Sequence, residues 1–337
     1  MNILMVSAEY APLAKVGGLA DAVAGLAQAL ARRGHDVRVV LPLYGATAAA
    51  AEGFRPRPGP TIPVRLGQRF VPVRVFERAR AGRGPRVYLI ESPAVFGGGI
   101  YGGSGVAVPT LERASLLAQA ALLLPGLLNW PVDIVHAHDA QAALAPVYRR
   151  QWFDAQSLPG SARTMLTIHN LAHQEIHPAA AVAELGLPAE LAAFPGLLEF
   201  HGQANLMKAG ILAADRVNTV SPTYAAETLS GALYGCGLEG VLAGAGRTTR
   251  ASSTVPTTIL EPEGRSRAPG AVLGERTRTS SRVPDRPPCG VVVVRGRRPS
   301  RVRLRRSARL PEGHRVAAAV AGTPGRRWRR LRPARNR

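Results

Sequence analysis

The sequence predicts an α/β fold, a Rossmann-like doubly wound parallel sheet over residues 1–246, followed by a region of different character at 247–337. Three observations predict it. Short apolar runs alternate with stretches of helical periodicity, a Gly-rich turn joins the first strand to the first helix, and charge divides sharply along the chain. Residues 1–246 carry 19 Lys+Arg and 17 Asp+Glu, whereas 247–337 carry 24 and 5. The net charge of +21 therefore belongs almost wholly to the second region.

Each element follows from local pattern. Ile3 to Val6 is a near-continuous apolar run, as in a parallel strand buried on both faces. Leu19, Val23, Leu26 and Leu30 fall on one helical face, and Gly34 lies where a C-cap belongs. Val37 to Leu41 reads as the second strand, completing a βαβ unit. Phe70 to Phe76 alternates with period two, and Arg86 to Glu91 reads as a further strand. Pro109 to Leu124 reads as a helix, Asp133 to His136 as a strand and Ala140 to Trp152 as a helix. Thr164 to Ile168 is extended, Ala204 to Ala214 helical and Arg216 to Val220 extended, with Ser221 as N-cap before Pro222.

Composition bounds the function. At 337 residues and 46% hydrophobic the chain can bury a sizeable core. No apolar run approaches the ~18 residues of a spanning helix, so no membrane partner is expected. Met1 to Ser7 has no basic n-region and reads as a strand rather than a signal peptide. Cys236 and Cys289 cannot build a disulfide framework or a cysteine-rich zinc site, which fits a reducing, cytoplasmic location.

Chemistry concentrates at the carboxyl ends of predicted strands, where open α/β sheets bind ligands. Lys15 and Lys208 are the only lysines among 43 basic residues. Lys15 opens Lys15-Val16-Gly17-Gly18-Leu19-Ala20-Asp21, between strand and helix. Two glycines let a ligand approach the backbone, the helix N-terminus offers N–H groups, and a lysine suits phosphate or sugar oxygens. The motif is neither GxGxxG nor a P-loop, and a tight turn with a solvated lysine satisfies the same spacing. His136-Ala137-His138-Asp139 ends a strand, with both histidines on one face and Asp139 placed to cap the next helix; packed strand-end histidines satisfy this pattern too. His169, in Thr167-Ile168-His169-Asn170-Leu171, again ends a strand and suits sugar binding or charge stabilisation. His173 and His177 are read as loop residues, since Pro178 argues against a helical histidine face. No metal site is assigned, because His136-x-His138 lacks a clear third ligand. For Lys208, a solvated helix face is the simplest account.

Together with Ser221-Pro222-Thr223-Tyr224-Ala225 and Tyr234-Gly235-Cys236-Gly237-Leu238-Glu239-Gly240, these motifs resemble bacterial glycogen synthase in order and spacing, over about residues 1–242. The resemblance implies a two-domain GT-B glucosyltransferase that moves glucose from ADP-glucose to the non-reducing end of an α-1,4-glucan. It implies retention of configuration, with no metal and no cofactor besides the donor. By resemblance, Asp139 and His169 face the transferred glucose as catalytic residues, while Lys15, Gly17, Gly18, Glu9 and Asp21 bind substrate, Glu9 on the acceptor side. The sequence departs from the family at Ala140, usually Trp, and at His173, Glu175 and His177, usually Tyr, Gly and Phe.

The second region departs further. Residues 247–337 contain ten prolines, no Lys, Phe or Tyr, and clusters such as Arg326-Arg327-Trp328-Arg329-Arg330. None of the second-domain motifs of the family is found there. This region is expected to be mostly unstructured, a frameshifted translation or an unrelated extension, with Val291 to Val294 as its one short strand candidate. On that expectation the chain alone has little or no transferase activity. Three alternatives stay open at this point: another GT-B transferase, a non-catalytic glucan-binding protein, and nucleic-acid binding through the arginines. The last is expected to be non-specific, because clustered arginines attract phosphate backbones without a fold.

Overall fold

The computed structural model describes residues 1–78, 82, 84–101, 110–152, 162–248 and 292–293. Expectations for residues 247–337 therefore lie outside the described residues, apart from the backbone of Arg247–Thr248 and Val292–Val293.

β1 (Asn2–Val6) is buried from Ile3 onward, as its unbroken apolar run requires. α1 (Gly18–Arg32) turns Leu19, Ala20, Val23, Ala27 and Ala31 inward. It ends at Arg33 with Gly34 in the left-handed region at φ +88°, the conformation for which glycine is favoured. β2 (Asp36–Pro42) completes the unit. β3 (Arg55–Pro56), β4 (Ile62–Leu66) and β5 (Arg69–Glu77) form an antiparallel extension before β6 (Arg86–Glu91) returns to the parallel set.

A short α2 (Pro93–Phe96) precedes α3 (Thr110–Leu127), which is buried almost all round. β7 (Ile134–His138) leads into α4 (Asp139–Ala142) and α5 (Leu144–Gln151). The predicted single helix is interrupted only at Ala143, whose backbone stays helical at φ −63° and ψ −18°. After β8 (Arg163–Ile168) come β9 (Ile176–Pro178), β10 (Glu199–Phe200) and β11 (Gln203–Asn205), a separate antiparallel sheet. α6 (Leu206–Ala213) starts two residues later than its periodicity predicts, because the Asn205 side chain caps it by accepting from Lys208 N at 2.9 Å. β12 (Arg216–Thr219), α7 (Pro222–Ser230), α8 (Ala232–Gly235), α9 (Glu239–Thr248) and β13 (Val292–Val293) follow. Ser221 caps α7 as predicted, accepting from Tyr224 N at 3.0 Å.

The main sheet runs β13-β12-β8-β7-β1-β2-β6-β5-β3, with β4 paired to β5. From β12 through β6 every pairing is parallel. The chain starts in the middle, builds outward through β2 and β6, then returns to build β7, β8 and β12 on the other side of β1. Strand order therefore reverses between β1 and β7, and the crevice beyond their carboxyl ends is where such sheets hold ligands.

One close approach fixes the helical layer behind that crevice. A methyl group on Gly210 of α6 would lie 2.7 Å from the Ala143 Cβ and 3.0 Å from its carbonyl oxygen. Gly210→Ala is expected to lower stability by about 1–3 kcal/mol despite alanine's better helix propensity. On α1, Gly25→Ala meets nothing within 4 Å and serves as the control. Urea melts of both variants check this, and equal midpoints would show that the α6 contact is not tight.

Candidate active site

The turn after β1 is built around a buried carboxylate. Ser7 Oγ donates to the Glu9 carbonyl at 2.7 Å, and Glu9 is only 2% exposed. Its Oε2 accepts from the backbone N–H of Val16 at 2.7 Å and of Gly17 at 3.0 Å. Its Oε1 accepts from the Tyr101 hydroxyl. Three donors on one carboxylate compensate its removal from water. Burial, followed by the hydrogen bond and charge of Glu9, pushes the Tyr101 hydroxyl far above its usual range, so it remains a donor. Arg113 holds the chain before Tyr101 by donating to the carbonyls of Gly99 at 2.5 Å and Ile100 at 3.0 Å. Tyr101 and Arg113 carry no motif in the sequence, and nothing local marks them.

Lys15 forms an ion pair with Asp21, Nζ to Oδ2 2.8 Å, with the two side chains 50% and 58% exposed. At such exposure the pair contributes little to stability and is readily exchanged for another anion. Gly17 is the N-cap of α1, and no side chain caps the helix. A Cβ on Gly17 or Gly18 would meet no atom within 4 Å. Packing within the chain therefore does not require either glycine; the open ground lies over the helix N-terminus.

The ends of β7 and β8 supply the rest. Registry sets His138 opposite Thr167, and Thr167 opposite Asn218 of β12. His136 Nε2 lies 2.6 Å from Thr167 Oγ1, which donates to Asn218 Oδ1 at 2.6 Å. Thr167's single proton is thereby committed, so His136 Nε2 carries the proton between them. His138 stacks on His136 with centroids 4.2 Å apart, and its Nδ1 lies 3.1 Å from Nε2 of His169. Burial holds His136 down at about 3, His169 at about 4 and His138 well below the usual histidine range. All three rings are neutral at pH 7.

Asp139 is 7% exposed and adopts φ +58°. The sequence expectation that it caps the following helix is corrected here: α4 has no side-chain cap. Its Oδ1 instead reaches the end of β8 and accepts from His169 N at 2.6 Å and Asn170 N at 3.3 Å. Burial pushes the carboxyl up to about 7, the two N–H donors oppose that rise, and the Glu9 charge adds to it. His169 also feels the Glu9 charge. Thus Glu9, Asp139 and His169 share one electrostatic environment at the carboxyl ends of β1, β7 and β8, with Gly17, Gly18 and the Lys15–Asp21 pair at the rim.

Other expectations resolve differently. Lys208 is not on a solvated face: its ammonium donates to the Glu199 carbonyl and lies 3.8 Å from the Glu199 carboxylate. It ties α6 to the preceding loop. His173 is an exposed loop residue as expected, whereas His177 lies on β9 with Nε2 3.3 Å from Glu175 Oε2. Gln141 donates to the other Glu175 oxygen at 3.1 Å. Burial would raise Glu175, but hydrogen bonds from His177, Thr110 and Gln141 bring it below the usual range. Among the described residues no three His, Cys, Asp or Glu side chains gather as a metal site.

Comparison with known proteins identifies the family and the fold. The chain is 41% identical over 234 residues to a glycogen synthase of Anaeromyxobacter dehalogenans, covering 68% of this chain and 47% of that protein. It is 40% identical over 247 residues to glycogen synthase 2 of Geobacter sulfurreducens, covering 72% and 50%. The chain spans about half the length of the curated relatives it matches. Among solved structures, the catalytic domain of starch synthase IV from Arabidopsis thaliana, bound to ADP and acarbose, superposes with a TM-score of 0.64 at 29% identity. That match covers 73% of this chain and 50% of the other, and assigns the sheet to the GT-B architecture. The family model described as the starch synthase catalytic domain matches residues 2–244, and the chain belongs to that family.

Proposed function

We propose that this site is one half of a cleft that acts in glycogen synthesis, transferring glucose from ADP-glucose to the non-reducing end of an α-1,4-glucan with retention, and that the chain alone has little or no transferase activity. The observation that carries this reading is the convergence of Glu9, Asp139, His169 and the open Gly17–Gly18 backbone at the reversal point of a parallel sheet. The diphosphate of the donor needs N–H groups and positive charge, which the α1 terminus and Lys15 supply once Lys15 leaves Asp21. An oxocarbenium-like glucosyl group needs oxygens and neutral polar groups nearby, and Asp139 and His169 provide them. Glu9, braced by Tyr101, fits the acceptor side. The bound ADP and acarbose of the Arabidopsis structure support a nucleotide donor and a glucan-like acceptor.

The chemistry assigned here uses no metal and no cofactor besides the donor. A cytoplasmic location fits these substrates, and no described helix is long and apolar enough to cross a membrane. Nucleic acid is assigned only non-specific attraction to the arginines of 247–337.

Titrating the isotope-labelled chain with ADP-glucose is expected to shift the amide signals of Gly17, Gly18 and His169. Competition with UDP-glucose then tests the nucleotide. Preference for UDP-glucose would move the reading to another GT-B transferase, and glycogen binding without any donor response would favour a glucan-binding protein. A transfer assay with labelled ADP-glucose and glycogen is expected to show little or no turnover by the chain alone.

A further inference from the structure

His138 has no role in the proposed chemistry, yet it is fully enclosed within the site, at 0% exposure. Its Nε2 is buried without a hydrogen-bond partner, while its Nδ1 faces His169 Nε2 at 3.1 Å. His136 stacks on one side of it, with its own Nε2 committed to Thr167. Two neutral imidazoles joined N to N must divide one donor and one acceptor between them. A buried N–H left unpaired is rarer and costlier than a buried lone pair left unpaired. The unpartnered Nε2 of His138 is therefore the bare nitrogen, which puts the proton on Nδ1 and makes His138 the donor. His169 must then accept at Nε2 and carry its own proton on Nδ1.

We infer that His138 is a positioning residue that locks the ring and tautomer of His169, so that His169 is left with its proton on Nδ1 as a donor. Two consecutive residues then clamp His169: the His138 ring holds its imidazole, and Asp139 Oδ1 accepts from its backbone N–H at 2.6 Å. The consequence is directional: a sugar hydroxyl that meets this N–H must accept from it and give its own proton elsewhere, where a freely exchanging ring would allow either role. Only this consequence rests on the proposed sugar-binding role of His169; the tautomer assignment does not.

Long-range 15N–1H correlation of the imidazole rings in the full-length, 15N-labelled chain tests it. The wild-type protein is expected to show His169 and His138 both protonated at Nδ1 and bare at Nε2. His138→Phe, which keeps a ring but removes the donor, is expected to release His169 from that single form while the backbone amide signals of Asn170 and β8 stay in place. His138→Asn, whose amide N–H falls near the position of Nδ1–H, is expected to restore it. ADP-glucose affinity should fall about three- to tenfold in His138→Phe, the value of one neutral hydrogen bond, and recover in His138→Asn. A wild-type His169 protonated at Nε2 overturns the assignment, even where the Phe variant fails to fold. A folded Phe variant with unchanged His169 tautomer overturns the positioning role. The expected tautomers without any donor binding would uphold the assignment and count against the proposed function instead.

Discussion

Asp139→Asn is expected to make the protein more stable above neutral pH while weakening ADP-glucose binding by about tenfold or more, the value of a hydrogen bond to a charged group. The amide keeps an oxygen that can accept from His169 N and Asn170 N, and asparagine tolerates the φ of +58° that most residues would not. What it removes is a charge enclosed at 7% exposure. Burial holds the Asp139 carboxyl up at about 7, against an ordinary value near ~3.9, so folding favours the protonated form. That contribution is complete below about pH 4 and is lost as pH rises through about 7. Ionisation of the folded protein therefore opposes stability by on the order of 2–4 kcal/mol. Urea melts at pH 5 and pH 8.5 should show the wild type losing stability toward the higher pH and the Asn variant losing much less. Donor binding should move oppositely: in the wild type it strengthens with ionisation near pH 7, since the charged carboxylate accepts more strongly from sugar hydroxyls, and in the variant that rise is absent. Identical pH dependence of stability in both proteins would remove the buried-charge account of this residue.

The second large effect is expected at Gly18. Within the chain nothing argues against alanine there: the added methyl meets no atom within 4 Å, and the position is the first residue of α1. Alanine should be neutral or stabilising by up to about 1 kcal/mol. If the space over Gly17 and Gly18 is where the donor diphosphate approaches the helix N-terminus, the same methyl holds it away from the N–H groups. Donor affinity should then fall about 10–100-fold, or roughly 1.4–2.8 kcal/mol. Thermal melting paired with ADP-glucose calorimetry separates the two effects. Weaker binding in a protein that melts no lower places the ligand over the glycines; unchanged binding removes them from the donor site.

Much of this was legible in the residues and some was not. Uninterrupted apolar runs such as Ile3 to Val6 and Val87 to Ile90 announce buried strands of the sheet, because burial on both faces leaves no room for polar alternation. β4 does not announce itself: Pro63 sits within it, and it holds only because it pairs β5 alone, at an edge. The strand-end motifs at His136–Asp139 and His169 mark the site, but not what their atoms bind. Asp139 reaches His169 N because β7 and β8 are adjacent in a particular register, a relation between segments 30 residues apart. Tyr101 reaches Glu9 across 92 residues, through a loop held by Arg113. Lys208 looks solvated on its own helix, and becomes enclosed only when the segment ending at Glu199 folds over it.

The central position of β1 also governs how the protein is made. β1 pairs on one side with β2, which follows at once, but on the other with β7, where Ile3 meets Ile134 131 residues later. At about 5–20 residues per second, a ribosome needs on the order of ten seconds to deliver that partner. Throughout this interval Ile3 to Val6, destined for the innermost layer, has one open edge, and long-range parallel pairing is slow to close once β7 emerges. The yield of folded protein should accordingly respond to translation speed and chaperone supply, with β1 as the segment most exposed to premature association.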